Sequence, residues 1–300
     1  MKNNIAVIGL GSMGYGIATS CLRSGHLVWG VDTNIDQVKA FCSQGGQATT
    51  LSSVIDEIDV VVVVVLNSVQ TEEVLFGQEG LVENLKPGTV VISCATVAPT
   101  FAIDMERRCK EFEIFYLDAP ISGGALKAKN GQLSIMASGV KEAFQHARPT
   151  LDSISETVFE LGDEAGTGSA MKSVNQLLAG VHIAVMAEAL TFGISQGISP
   201  DKFVEVISKC AGTSWMLENR APHIVNGDYK PHSSINIWPK DLGIVLDVAL
   251  ESKFNAPIAT AALEQFRTAV DMGLGFEDDA AVAKVYAKSA NLSLPKKNDV

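Results

Sequence analysis

The chain has 300 residues, 47% hydrophobic and 19% charged, with a net charge of −11 from 23 basic and 34 acidic side chains. That length predicts two domains or one large one, and so apolar a chain is no disordered regulator. The acidity, with no basic run, argues against nucleic-acid binding. The longest aliphatic run, Val60 to Leu66, is too short for a membrane helix, which needs roughly 20 residues. The N-terminus shows no readable secretory signal. Cys21, Cys42, Cys94, Cys109 and Cys210 are scattered without a CxxC pair. They read as reduced thiols packed as small hydrophobes in a cytoplasmic protein.

In chain order, Ile5–Ile8 reads as a first strand and ends at Gly9-Leu10-Gly11-Ser12-Met13-Gly14. A helical pattern through Ile17, Cys21 and Leu22 follows and stops at Gly25. Leu27–Val31 reads as the second strand, with Asp32 at its end. Further strands are expected at Val60–Leu66, Val90–Ser93, Phe115–Leu117 and Leu133–Ala137, with helical stretches between several of them. Strand–helix alternation predicts a doubly wound α/β Rossmann domain with a mostly parallel sheet. Past about Thr167 the strand runs stop. Ala170–Gly193 carries Val174, Leu177, Leu178, Val181 and Val185 at helical spacing. Pro200 opens another helix with Ser199 as its N-cap, and Leu242–Leu250, Ile258–Val270 and Ala280–Ala287 continue the helical pattern. The expected organisation is a Rossmann domain over 1–164, an all-helical domain over 165–292, and a polar, fraying tail over 293–300.

The GxGxxG run lies between a strand and a helix, and an acid ends the next strand, the context a dinucleotide site requires. Gly9 permits the tight turn, Gly11 lets the backbone approach a pyrophosphate, and Gly14 lets helix and strand pack closely. The helix N-terminus offers unpaired N–H groups to phosphate. Asp32 would accept from an adenosine ribose and repel a 2′-phosphate, and residues 33–37 contain no Arg, which favours NAD over NADP. His26, His146, His182, His223 and His232 show no ligand spacing, so no metal site is expected. His182, Trp215 and Trp238 read first as packing residues.

Three further segments carry a resemblance. Asp118-Ala119-Pro120-Ile121-Ser122-Gly123-Gly124 resembles the substrate-binding signature of the β-hydroxyacid dehydrogenase family, to which 3-hydroxyisobutyrate dehydrogenases belong. Gly166-Thr167-Gly168-Ser169-Ala170-Met171-Lys172-Ser173-Val174-Asn175 resembles its catalytic helix, and Lys240-Asp241-Leu242 its C-terminal contact with cofactor and substrate. With the nucleotide fingerprint, the resemblance runs from about Ile5 to Ala287. It implies a Rossmann domain, a long interdomain helix and an all-helical domain that commonly builds a homodimer or homotetramer.

The resemblance also implies roles. Lys172 is the catalytic general acid/base. A free lysine holds its proton too tightly for that at neutral pH, and burial or a second cation would loosen it. Ser122, Gly123 and Gly124 hold a small carboxylate substrate. Asn175, three residues after Lys172 and so on the same helix face, binds substrate oxygens. Lys240 contacts both substrate and cofactor, and Asp241 reads equally as its orienting acid or as a solvated helix-start acid. Leu66, Thr96, and the backbone of Leu10, Ser12 and Met13 join Gly9, Gly11, Gly14 and Asp32 in binding NAD. The segments Asn175–Ala184, Ala211–Arg220 and Asn226–Tyr229 resemble the branch that includes L-threonate dehydrogenase, which oxidises a four-carbon sugar acid to its 2-oxo acid. That branch typically carries His where this chain has Asn175, and an aliphatic residue where it has Pro239. The alternatives are a 3-hydroxyisobutyrate dehydrogenase, a tartronate semialdehyde reductase and, in another class, a non-catalytic NAD-binding protein. A phosphorylated substrate is disfavoured, since Lys127 and Lys129 are the only basic pair near the Gly123-Gly124 turn.

Overall fold

The computed structural model describes residues 2–47 and 51–297. The chain divides into two compact units, residues 1–172 and 173–300. In the first, β1 (Asn4–Ile8), β2 (Leu27–Val31), β3 (Val60–Val63), β4 (Val90–Ser93) and β5 (Phe115–Asp118) form one sheet in the order β2-β1-β3-β4-β5. Every pairing in it is parallel. The helices are α1 (Gly14–Arg23), α2 (Ile35–Ser43), α3 (Ser68–Phe76) and α4 (Pro99–Lys110).

Alternate residues of the strands feed two cores. Ile5, Val7, Val60, Val62, Val90 and Ile92 pack in one with Ile17 of α1. Ala6, Ile8, Val61, Val63 and Val91 pack in the other with Leu75 of α3 and Met105 of α4. Burial on both faces explains why β3 reads as four consecutive valines, all fully buried. The strand ends at Val63 rather than at Leu66. Beyond it the Val64 carbonyl lies against Gly9, where a Cβ would meet it at 2.3 Å, so the chain turns away at the nucleotide loop.

A second sheet is formed by β6 (Ile121–Ser122), β7 (Leu133–Ala137) and β8 (Ser155–Glu160), with α5 (Gly124–Asn130) and α6 (Lys141–Ile154) between them. β6 pairs antiparallel and β8 parallel to β7. Neither β6 nor β8 was legible in the sequence. β6 has only two residues, and β8, Ser-Glu-Thr-Val-Phe-Glu, is a largely solvated edge strand with no apolar run.

α7 (Thr167–Ser195) has 29 residues, starts in the first unit and continues into the second. Its length and composition alone would allow it to cross a membrane. The sequence reading, which weighed only the uninterrupted run Val60–Leu66, missed this. Core helices of soluble proteins pass the same test, and nearly half of its most apolar window is buried here.

The second unit is helical: α8 (Pro200–Ile207), α9 (Trp215–Val225), α10 (Ile237–Glu251), α11 (Pro257–Asp271) and α12 (Ala283–Ser289). Ser199 caps α8 as its sequence position suggests, accepting from the Lys202 N–H. α9 escaped the sequence reading because Pro222 lies inside it and its centre is Glu-Asn-Arg, yet Ser214 caps it through the Leu217 N–H. Before Asn298, the tail is packed rather than frayed. Leu294 joins the helical core, and Lys297 pairs with Asp228 at 3.0 Å. The backbone of Lys296 and Lys297 lies where a Cβ on Gly227 would meet it at 2.6 Å.

Candidate active site

In a doubly wound sheet, ligands bind beyond the carboxyl ends of the strands where the strand order reverses, here between β1 and β3. Gly9–Gly14 leaves β1 at that point. Gly9 has φ +93°, a conformation that side chains resist. A Cβ on Gly14 would lie 1.8 Å from the Gly9 carbonyl oxygen, whereas one on Gly11 would meet nothing within 4 Å. The turn therefore closes on one side and stays open on the other, and α1 begins at Gly14. Asp32, at the end of β2, accepts from the Leu10 N–H at 2.6 Å and the Asn34 N–H at 2.7 Å. It anchors the turn and keeps lone pairs for a ribose, since a carboxylate accepts at about four positions. These residues fit NAD: an open backbone for pyrophosphate and an acid where a 2′-phosphate would stand. Leu66 and Thr96 follow β3 and β4 at the same end of the sheet, Leu66 exposed and Thr96 half-buried. Asp32→Asn is expected to raise KM for NAD about tenfold, the scale of one charged hydrogen bond, and to narrow the preference over NADP. Unchanged kinetics with both cofactors would remove Asp32 from the site.

Also in the first unit, Asp118 ties the substrate-signature loop to the start of α7. Its buried carboxylate accepts from the Gly166 N–H at 3.0 Å, the Ser169 N–H at 2.8 Å and the Ser169 hydroxyl at 2.6 Å. Burial pushes this carboxyl above the usual range, while the Ser169 and Gly166 donors and Ser138 draw it back. Ser138 accepts from the Gly168 N–H at 3.0 Å. Gly168 has no room for a Cβ, which would lie 2.4 Å from the Asp118 carbonyl. One turn on, Lys172 is buried, and its Nζ donates to the Ile121 carbonyl at 2.8 Å. The next residues, Ser122, Gly123 (φ +134°) and Gly124 (φ +75°), form a turn that is open above Gly124. The structure thus places Lys172 one residue from that turn. Lys127 is engaged by Glu156 at 3.5 Å on the surface.

In the second unit, Asp241 is buried, not a solvated helix-start acid. Its Oδ1 lies 2.6 Å from Lys240 Nζ, and its Oδ2 accepts from Gln176 Nε2 at 2.5 Å. Gln176 Oε1 accepts from Asn175 Nδ2 at 2.9 Å. Trp238, one turn before Asp241, belongs to the core. It stacks on Phe266 and donates to Asp279, which also accepts from Arg220. Trp215 is exposed at the start of α9, and His182 is half-buried on α7. Sequence reading overlooked Gln176, Ser169 and Ser138. For Gln176 the available signal was a polar side chain flanking a motif residue in an otherwise apolar helix; Ser169 lies within the Gly166–Asn175 motif, and Ser138 follows a strand and carried no signal.

Residues 4–162 match the model described as the NAD binding domain of 6-phosphogluconate dehydrogenase. Residues 166–286 match the NAD-binding domain of NADP-dependent 3-hydroxyisobutyrate dehydrogenase. The chain belongs to the β-hydroxyacid dehydrogenase family. Within that family it is similar to the L-threonate dehydrogenase of Cupriavidus necator, with 46% identity covering 95% of this chain and 97% of the relative. The L-threonate dehydrogenase of Escherichia coli is 42% identical over 95% of each chain. A crystal structure described as 3-hydroxyisobutyrate dehydrogenase from Salmonella typhimurium superposes with a TM-score of 0.88 at 40% identity, covering 94% of this chain and 99% of that one. The protein is an NAD-dependent hydroxyacid dehydrogenase, and α7 from residue 167 on lies within the second family match.

Proposed function

We propose that the protein oxidises a four-carbon sugar acid, L-threonate foremost, at its C2 hydroxyl to the 2-oxo acid. The observation that carries this reading is 42–46% identity to L-threonate dehydrogenases over nearly the whole chain. Ser122, Gly123 and Gly124 receive the carboxylate in the open turn. Lys172 takes the proton of the C2 hydroxyl, its Nζ held in place by the Ile121 carbonyl. NAD, when bound, accepts the hydride that leaves C2. Asn175 and Lys240 bind substrate oxygens, and Lys240 also contacts the cofactor, as the family resemblance implies. Such positioning accounts for much of an enzyme's rate. In the reductive direction Lys172 returns the proton. A binding protein without catalysis has no use for a buried proton-transfer lysine, which disfavours that class.

The second reading, a 3-hydroxyisobutyrate dehydrogenase, draws on the Salmonella structure. The two separate on a panel of L- and D-threonate, D-erythronate, both glycerates, 3-hydroxyisobutyrate and 6-phosphogluconate, followed by NADH absorbance. L-threonate is expected to exceed 3-hydroxyisobutyrate in kcat/KM by about tenfold or more, the scale on which a hydrogen-bonding site discriminates. A preference for the methyl-branched acid would discard the threonate assignment and keep the mechanism. The protein is proposed to act in the cytoplasm, in keeping with free thiols at all five cysteines, and as a homodimer or homotetramer. Leu178, Val185 and Phe192, exposed at seven-residue intervals along α7, support self-association.

A further inference from the structure

Asn175 and Gln176 are neighbours on α7, but only Gln176 is buried. The polarity of its two hydrogen bonds is forced. A carboxylate only accepts, so Gln176 must present its amide nitrogen to Asp241 Oδ2. Its oxygen, which can only accept, then faces Asn175, and Asn175 must turn its own nitrogen toward it. That leaves Asn175 Oδ1 and one N–H for a ligand. On the other side of Asp241, Oδ1 forms an ion pair with the Lys240 ammonium at 2.6 Å, outside hydrogen-bond geometry. One glutamine therefore decides which way round the Asn175 amide stands and shares a carboxylate with Lys240.

We propose that Gln176 is a positioning residue for the dehydrogenase reaction, joining Asn175 and Lys240 through Asp241 into one pre-oriented unit. The inference rests on the reading of Asn175 and Lys240 as substrate-binding residues. A side chain kept only to fill space would not need a donor on one side and an acceptor on the other. Nor would it sit between two polar groups assigned to the same substrate.

The test is a double-mutant cycle with the acid that the panel selects. Gln176→Met keeps the length of the side chain and removes both bonds. It is expected to lower kcat about 30-fold, the scale of a misplaced reacting group, with KM for NAD unchanged. In the Asn175→Ala background the same change is expected to cost clearly less, about tenfold or below, because only the hold on Asp241 and Lys240 remains to be lost. A kcat for Gln176→Met within about threefold of wild type, or losses that multiply fully, would overturn the proposal. Wild-type kcat in Asn175→Ala would fault the substrate reading of Asn175, and the bridge with it. A damaging Asn175→Ala beside a silent Gln176→Met faults the bridge alone.

If Gln176→Met does not fold, Gln176→Glu carries the test. Its carboxyl can accept from Asn175 in either state but can donate to Asp241 only when protonated. The charged groups about this position are Asp241, Lys240 beyond it, and Lys172 four residues earlier on α7. The activity of Gln176→Glu relative to wild type is expected to rise as pH falls. A ratio that stays flat with pH counts against the bridge.

Discussion

Lys172→Ala is expected to lower kcat by about 10³-fold, the range of a lost general acid/base, while NAD binding, followed by fluorescence titration, stays intact. The expectation has a structural basis. Lys172 is buried, its Nζ is fixed on the Ile121 carbonyl, and Ile121 directly precedes the Ser122-Gly123-Gly124 turn. The glycine fingerprint proposed to hold the cofactor lies on other elements, at the ends of β1 and β2, so its geometry does not depend on this side chain. Turnover above a tenth of wild type would refute the role. A parallel loss of NAD affinity would instead indicate damage to the fold.

The second large effect is expected at Asp118→Asn. Three donors converge on this carboxylate, two from Ser169 and one from Gly166. An asparagine amide would point its own N–H groups at one or more of them. Leaving buried donors unpaired costs about 1–3 kcal/mol, and the negative charge at the first turn of α7 is lost as well. A fall in Tm of several degrees is expected by calorimetry, at roughly 2–4 °C per kcal/mol for a unit of this size. Activity should fall further than stability, by about 10- to 100-fold in kcat, because α7 carries Lys172 and its start would no longer be tied to the substrate loop. Wild-type kcat in a variant with a lowered Tm would show that Asp118 serves the fold alone.

The glycine turn after β1 was legible because its backbone is sterically constrained. Gly9 has φ +93° and a Cβ on Gly14 would meet the Gly9 carbonyl, so two positions of the turn admit little but glycine, while Gly11 faces open space. The parallel sheet was legible for a similar reason, since strands such as Val60–Val63 are buried on both faces and leave uninterrupted apolar runs. β8 was not, because a solvated edge strand leaves no such run. The boundaries of α10 and α7 were drawn too short, since their first turns are held by tertiary contacts, Trp238 on Asp279 and Asp118 on Ser169, rather than by local capping signals. Asp241 stood evenly between two meanings in the sequence. Its burial between Lys240 and Gln176 is a product of the fold, brought about by residues 65 positions apart.

Asp32 has a consequence for how cofactor preference can change over evolution. The same carboxylate that we propose as the ribose acceptor also holds the Leu10 N–H inside the glycine turn. A single substitution that welcomed a 2′-phosphate would at once loosen the glycine turn proposed to receive the pyrophosphate. A lineage drifting toward NADP would therefore pass through a poor binder of either cofactor unless a second change first supplied another acceptor for Leu10. The two duties of one side chain place a valley between the two preferences and help keep the enzyme on the NAD side.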